Sequence, residues 1–278
     1  MSDVPGDNIN EIAGAPTVNE SPTTNEVNAI LHKYQIPLTI LSLSMRQVLN
    51  EVLPAMPKKM VSASGKFKFV DYHIIAGNCD AADGMAKAAF KFGYVPVKVN
   101  SSCTGTSRRM SRDYVKFASL MISAVEGKIS KLEFYKSMMN NGTLSLSEEK
   151  IEGIFSSKEK WGLGLYLIFG GRGKVKLTDS RGQGGPNQEI ALYFSIYWYL
   201  RCRQYPILKE YVVWFLGGAS SGKDGNSQVA GAYGYLAIVT GVWKYYQELK
   251  DLNVEAKLMM MDLDPESKEN EVFITNLY

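Results

Sequence analysis

The sequence is poor in the residue types that build small catalytic or metal-binding sites. It holds two histidines, His32 and His73, and three widely spaced cysteines, Cys79, Cys103 and Cys202. The cysteines form no Cys-x-x-Cys pair, and neither histidine lies in a recognisable catalytic or ligand arrangement. We therefore expect no zinc site, no disulfide framework and no catalytic residue of this kind, and we expect the histidines to be structural.

Long apolar runs are missing as well. No stretch approaches the roughly 20 uninterrupted apolar residues needed to cross a bilayer, and the N-terminus lacks a basic region followed by an apolar run. We therefore expect neither secretion nor a membrane partner, and a cytoplasmic location suits unpaired cysteines. The composition, 45% hydrophobic and 21% charged, is that of a globular chain able to bury a core.

Basic residues are nearly absent from both ends of the chain. Residues 1–26 hold five acidic residues and no Lys or Arg, and residues 262–278 hold five acidic residues against one lysine. Since the whole chain carries +3, the part between these ends carries +12. We expect a flexible acidic arm over 1–26, a basic globular core over 27–261 and an acidic tail over 262–278. Such a body attracts polyanions.

The apolar pattern predicts a mixed fold, mainly α with minor β. Apolar side chains at helical spacing predict a helix over residues 107–125, and a long apolar helix is predicted from Asn187 onward. Short strands are predicted at 94–99, 163–169 and 211–216. The Gly-Gly-Arg-Gly run at 170–173 predicts a tight turn that closes a basic hairpin with residues 174–177. We also expect two lobes around a central groove, joined near residues 140–160.

Residues 72–99 have the order of a nucleotide-binding unit. An apolar run ending at Ala76 predicts a strand, Gly77 leads into an alanine-rich helix, and a second strand follows. However, the Gly-x-Gly-x-x-Gly fingerprint is absent, and Asp80 and Asp83 place carboxylates where a phosphate would bind. We favour a packed α/β element whose helix is capped by Asp80.

Residues 217–224, Gly-Gly-Ala-Ser-Ser-Gly-Lys-Asp, differ by one residue from a phosphate-binding loop. Asp224 replaces the Ser or Thr whose hydroxyl holds magnesium, and its carboxylate repels a phosphate. The strand predicted before the loop favours a nucleotide site, whereas the glycines over 225–234 disfavour the helix that should follow. We therefore interpret the segment as a decoy of the phosphate-binding motif, and as a glycine-rich basic loop that is able to bring Lys223 to a phosphate.

Cations recur in several short segments that lack a catalytic constellation. On a helix over 107–125, Arg108, Arg112 and Lys116 share one stripe, which indicates either a solvated face or a row that tracks phosphates. The residues predicted to bind RNA or phosphate are Lys58, Lys59, Lys66, Lys68, Arg108, Arg109, Arg112, Lys116, Arg172, Lys174, Lys176, Arg181, Arg201, Arg203 and Lys223.

Together these features predict a self-assembling, sequence-tolerant single-stranded RNA-binding protein, such as a viral nucleocapsid or coat protein, located in the cytoplasm or the virion. It would self-associate through its terminal arms and would be neither an enzyme nor dependent on a cofactor. The alternatives are a nucleotide-binding α/β protein or enzyme that uses the loop at 217–224, and an interaction protein whose basic face binds an acidic partner.

Overall fold

The computed structural model describes most of the chain, with several gaps. The described residues are 4, 6–14, 17, 24–52, 69–139, 144, 147–156, 163–176, 184–239 and 271–277. The chain divides into two compact units, of which the smaller is formed mainly by residues 7–74 and the larger mainly by residues 75–278.

The smaller unit is helical where it is described. It contains a short 3-10 helix at Ile12–Gly14, helix α1 at Thr24–Lys33, a 3-10 turn at Leu38–Ile40 and helix α2 at Leu43–Gln47. Helix α2 continues as a π-helical turn at Val48–Val52. The hydroxyl of Ser42 caps α2 by accepting a hydrogen bond from the Met45 backbone N–H at 3.3 Å.

The larger unit is a mixed α/β structure with a five-stranded sheet. Its helices are α3 (Asn78–Lys91), α4 (Ser107–Val125), α5 (Lys131–Met139), α6 (Glu148–Ser156) and α7 (Pro186–Gln204), with a 3-10 helix at Pro206–Glu210. Its strands are β1 (Tyr94–Thr106), β2 (Gly164–Lys174), β3 (Val212–Gly218), β4 (Gly231–Tyr235) and β5 (Glu271–Leu277).

The sheet has the strand order β1-β2-β5-β3-β4. Strands β1, β2, β5 and β3 are parallel to one another, and β4 is antiparallel to β3. Residues 271–277, which belong to the predicted acidic tail, thus form the middle strand of the sheet. Parallel strands require crossover connections. Helices α4 to α6 lie in the connection from β1 to β2, and α7 lies in the connection from β2 to β3.

The core lies where α4 and α7 pack on the sheet. Helix α4 buries Met110, Tyr114, Phe117 and Met121 at helical spacing. The ring of Tyr114 lies 4.8 Å from that of Phe169 on β2, measured between centroids. Burying such aromatic side chains stabilises the fold by about 1.5–3 kcal/mol each. The α4 prediction of residues 107–125 is confirmed, as is a long helix from the Asn187 region.

The predicted basic hairpin is wrong. Residues 164–174 form one continuous strand, which pairs with β1 up to Thr106↔Lys174. The glycines serve close packing rather than a turn: a Cβ at Gly171, whose φ is +149°, would lie 1.9 Å from the Cys103 carbonyl oxygen. The strand predicted before α3 is also not formed, since residues 70–77 have no regular secondary structure.

Among the described residues, no helix combines the length and the apolar character needed to cross a membrane.

Candidate functional site

The carboxyl ends of the parallel strands lie at one edge of the sheet, which we call the carboxyl edge. The register aligns Thr106 of β1 with Lys174 of β2, and Gly218 of β3 with Leu277 of β5. In open α/β sheets, ligands bind in the crevice outside this edge, because the loops there combine with the N-termini of the following helices.

Helices α3, α4 and α7 begin close to this edge. Near the start of α3, the Asn78 side-chain amide donates to the Ser101 carbonyl of β1 at 2.8 Å. Helices α4 and α7 lie side by side, and the Ser111 hydroxyl donates to the Ile190 carbonyl at 3.0 Å. Two parallel helix N-termini therefore place their positive dipole ends together.

Asp224 occupies the N-terminus of α7. One carboxylate oxygen accepts from the Asn187 backbone N–H at 3.0 Å and from its side-chain amide at 3.1 Å. The other accepts from the Gln188 backbone N–H at 2.8 Å and from its side-chain amide at 3.3 Å. Asp224 is only 2% exposed. A buried carboxylate from a distant loop thus supplies the anion that this helix end attracts.

The loop around Asp224 depends on glycine for its close contact with α7. A Cβ at Gly185 would lie 2.3 Å from the Asp224 carbonyl carbon, and one at Gly225 would lie 2.5 Å from the Gly184 carbonyl oxygen. Gly225 also has a φ of +58°, a conformation that favours glycine. The loop after β3 is therefore anchored on the start of α7.

A phosphate-binding loop is not formed at residues 217–224. Such a loop joins a strand to a helix, whereas here β3 is followed by the antiparallel strand β4, with Gly218 paired to Gly231. The strand predicted at 211–216 is confirmed as β3. Asp224 does not face a phosphate, because its carboxylate is directed at α7. Lys223 beside it is exposed.

Glu189, in the first turn of α7, is a partly unsatisfied acidic side chain at this edge. Its Oε2 atom is buried and accepts no hydrogen bond from the described residues. Burial raises the pKa of this carboxyl, and a hydrogen bond from the Ser107 hydroxyl partly opposes the rise. Ser107 is fully buried and also lies 3.4 Å from the Lys174 carbonyl oxygen. A carboxyl with a perturbed pKa at a strand edge is a candidate functional group.

The sequence patterns missed Glu189, although one signal was present. A carboxylate that follows a glycine-rich loop and opens a long apolar helix has few ways to be solvated. Such a position indicates a buried acid at a helix N-terminus.

Six of the predicted cations lie at the carboxyl edge. Arg108 donates to the Tyr197 hydroxyl at 2.9 Å and lies over the Tyr193 ring, 5.5 Å from its centroid. The others are Arg109 at the start of α4, Arg172 and Lys174 at the end of β2, Lys176 just after β2, and Lys223 after β3.

The remaining described cations lie elsewhere, so one groove cannot contain the whole predicted set. Arg112 and Lys116 follow α4 away from the edge, and Lys116 donates to the Ser137 carbonyl at 3.4 Å. Arg201 and Arg203 lie in the last turn of α7, about 22 Å along the helix from its start. Arg201 donates to the Ser119 hydroxyl at 3.2 Å. The predicted residues outside the described part are Lys58, Lys59, Lys66, Lys68 and Arg181.

Helix α3 forms as the favoured interpretation predicted, but the strand before it is not formed and its N-terminal cap differs in detail. Asp80 lies in the first turn rather than at the N-cap, which is Gly77. Its carboxylate accepts from the Gly77 backbone N–H at 2.7 Å. Asp83 forms an ion pair with Lys98 of β1. Neither carboxylate is therefore directed at a phosphate.

The sequence is similar to two protein families. Residues 165–263 match the MOFRL family, and residues 1–50 match a domain of unknown function, DUF4147. The chain is 28% identical to glycerate kinase of Danio rerio over 239 residues, which cover 84% of this chain and 45% of that protein. It is 23% identical to glycerate 2-kinase of Pyrococcus horikoshii over 266 residues, which cover 94% of this chain and 48% of that protein.

A crystal structure of glycerate kinase from Thermotoga maritima shares the fold. The TM-score is 0.52 at 21% identity, and the match covers 93% of this chain and 50% of that chain. The chain thus spans about half the length of the relatives it matches.

These likenesses overturn the predicted function. The two relatives described above are named as kinases, so the prediction of a nucleocapsid or coat protein that binds single-stranded RNA and is not an enzyme is wrong. The expectations that RNA is the partner and that the protein is located in a virion are therefore wrong as well. Residues 27–261 carry a net positive charge, but charge alone does not distinguish a polyanion from a small phosphorylated ligand. Of the predicted alternatives, the nucleotide-using α/β enzyme agrees better with the comparisons.

Proposed function

We propose that this chain acts as a glycerate-kinase-type phosphotransferase, which moves a phosphoryl group from a nucleoside triphosphate to a hydroxyl of glycerate or a similar small hydroxy acid. The observation that carries the proposal is the similarity to glycerate kinases over 84% of the chain. The larger unit supports it, since its parallel strands deliver loops and helix N-termini to one edge.

The charge at the carboxyl edge suits the two substrates. Both a triphosphate and a hydroxy acid are anions, and phosphoryl transfer is accelerated mainly by positioning and by electrostatic stabilisation of the transferred group. Arg108 and Arg172 offer planar forks that match a carboxylate or a phosphate, while Lys174 and Lys223 offer compact charges. We assign these four side chains to anion contacts at this edge.

Asp224 and Glu189 have supporting roles in this proposal. Asp224 is fully engaged with α7, so it fixes the loop that carries Lys223 rather than contacting a substrate. Glu189 holds the Ser107 hydroxyl at the start of α4, beside Arg108.

Kinases commonly use Mg²⁺, which is held by one or two carboxylates together with substrate phosphates. Within the described ranges, no group of three or more His, Cys, Asp or Glu side chains is placed to hold a metal ion without help from a substrate. Both Asp224 oxygens are already occupied by α7. The described residues thus do not form a dedicated metal site, and the assigned roles rest on the chain's own cations.

The test is phosphorylation of glycerate by the purified chain with ATP, followed by mass spectrometry of the product. Lys174→Ala and Lys223→Ala should each lower kcat/KM about tenfold or more, because each removes a charge-assisted contact of about 1.4 kcal/mol or more. Arg203→Ala is the matched control, since Arg203 is an exposed cation at the other end of α7. Absence of phosphoglycerate with every nucleoside triphosphate would overturn the proposal. An equal loss in all three variants would overturn the assignment to the carboxyl edge.

A further inference from the structure

A cavity of about 480 Å³ lies against β1, on the side of the sheet where α3 and α6 begin to cover it. We call it the β1 cavity. Its volume is in the range of small-molecule sites. It is lined by Cys79 and Ala82 of α3, Val95, Pro96, Val97, Lys98, Asn100 and Ser101 of β1, Lys150, Gly153 and Ile154 of α6, and Ile168 of β2.

The lining has an apolar part and a polar part. Val95, Val97, Ile154 and Ile168 supply branched aliphatic surface. The polar groups are contributed by the later residues of β1 and by the starts of α3 and α6. A lining of this kind binds a ligand with an apolar body and uses a few polar groups to orient it.

Lys150 gives the polar part its positive charge. Its ammonium donates to the Val99 carbonyl of β1 at 3.2 Å, so the side chain reaches from α6 to β1. The ammonium keeps two further N–H donors for another partner. The other lysine in the lining, Lys98, is paired with Asp83, so this pair contributes little net charge. On α6, Glu152 is paired with Lys131 at 3.0 Å.

The start of α3 adds donors beside Lys150. Its N-cap is Gly77, which has no side chain to accept from the first amides of this 14-residue helix. Asp80 accepts from the Gly77 N–H, outside the helix, rather than from the Asn78 and Cys79 amides. Cys79 lines the cavity, so this helix end lies at its polar part.

We propose that the β1 cavity binds a small organic anion that has an apolar body and one carboxylate or phosphate head. The body contacts the aliphatic side chains of β1, α6 and β2. The head is held by Lys150, Asn100 and Ser101 near the start of α3. Nothing in this binding requires phosphoryl transfer at the carboxyl edge.

The exposed thiol of Cys79 provides a built-in reporter of occupancy. All three cysteines are free, but Cys103 and Cys202 are buried, and burial raises the pKa of each thiol to about 12. A thiol reagent should therefore modify Cys79 alone in the folded chain. The rate of that modification is measured with 3-phenylpropionate and with phenyl phosphate, which distinguish the two kinds of head.

At saturation, one or both probes should slow Cys79 modification at least fivefold. Inorganic phosphate, which lacks the apolar body, and 3-phenylpropanamide, which lacks the charge, should have little effect at the same concentration. Lys150→Ala should weaken protection by the anions about tenfold, whereas Lys136→Ala, at an exposed lysine of α5, should not. Failure of both probes to protect, or equal protection by either control compound, would overturn the proposal.

A second variant tests whether protection comes from the cavity itself. Gly153 lines the cavity, and a Cβ there meets no atom within 4 Å, so Gly153→Phe should fill the space without a backbone clash. Gly84→Phe is the matched control, because Gly84 is a helical glycine with equally open space that lies outside the lining. Protection should vanish in Gly153→Phe and persist in Gly84→Phe. Protection that survives in Gly153→Phe would contradict binding in the cavity. Since no turnover is measured, the result is independent of the proposed kinase activity.

Discussion

At the scale of single residues, Asp224 shows how one carboxylate can be mistaken for a defect in a motif. Its position after Lys223 predicts an impaired phosphate loop, because the sequence around it does not reveal its partner. The partner is the start of α7, where Asn187 precedes Asp224 by 37 residues in the chain. The interaction is that of a helix N-terminus with an anion, as in a phosphate site, but here the anion belongs to the protein.

Replacing Asp224 should destabilise the fold. Asp224→Ala removes a charged acceptor from two backbone and two side-chain donors, so we expect the free energy of unfolding to fall by about 2–4 kcal/mol. Asp224→Asn should lower the free energy of unfolding by a smaller amount, because the amide keeps one acceptor oxygen. Urea denaturation measures both. Lys223→Ala, at the exposed neighbour, should change the free energy of unfolding by no more than about 0.5 kcal/mol. Equal stability of Asp224→Ala and Lys223→Ala would contradict the anchoring of the loop.

Glu189 should make stability depend on pH with a definite sign. Burial raises its pKa above the ordinary value of 4.5, so the folded state binds more protons than the unfolded state between these two values. Stability should therefore fall as pH rises from 4.5 through the folded-state pKa and then level off. Glu189→Gln stays neutral, so this pH dependence of stability should disappear. At pH 7 the variant should be more stable than the unmodified chain. Thermal unfolding of both chains across this pH range is the measurement, and identical slopes would refute the assignment.

At the scale of elements, the long helices were predictable, and the continuation of strand β2 beyond residue 169 was not. Helices α4 and α7 have 19 residues each, which is enough for periodic apolar side chains to establish their positions. The glycines of β2 fit a turn and a close-packed strand equally well on local grounds. Only the approach of Gly171 to the Cys103 carbonyl of β1 decides between them, and that contact joins residues 68 positions apart.

The same difficulty limits prediction of the site. Cations at 108, 172, 174 and 223 are visible in the sequence, but their common edge depends on strand order. Arg201 and Arg203 have the same local appearance and lie at the opposite end of α7. Local patterns therefore indicated candidate side chains without indicating which of them meet.

Gly171 offers a direct test of the continuous β2 strand. Gly171→Ala would place a Cβ 1.9 Å from the Cys103 carbonyl oxygen at a φ of +149°, so we expect a loss of about 3 kcal/mol in the free energy of unfolding. Gly153→Ala in α6 is the control, because its Cβ meets nothing within 4 Å and alanine favours a helix. Thermal unfolding should separate the two variants clearly. A loss for Gly171→Ala no larger than that for Gly153→Ala would contradict the close approach of β2 to the Cys103 carbonyl oxygen.

At the scale of the whole molecule, the thiols report on the packing of the larger unit. One thiol per chain should react with Ellman's reagent under native conditions, and all three should react in denaturant, because Cys103 and Cys202 are buried. Cys79→Ser should reduce the native count to zero and leave two in denaturant. More than one reactive thiol in the native chain would indicate that the core around β1 or α7 opens readily.

The position of β5 also determines when the sheet can be completed. In the described sheet, the β1–β2 pair and the β3–β4 pair are hydrogen-bonded to each other only through β5. A ribosome that adds 5–20 residues per second needs about 2–7 s to proceed from Tyr235 to Glu271. During that interval the edges of β2 and β3 that later bind β5 have unpaired backbone groups. Each edge can then pair with a strand of another nascent chain. The chain therefore has a period of exposure during synthesis that chaperones or slow translation of residues 236–270 would influence.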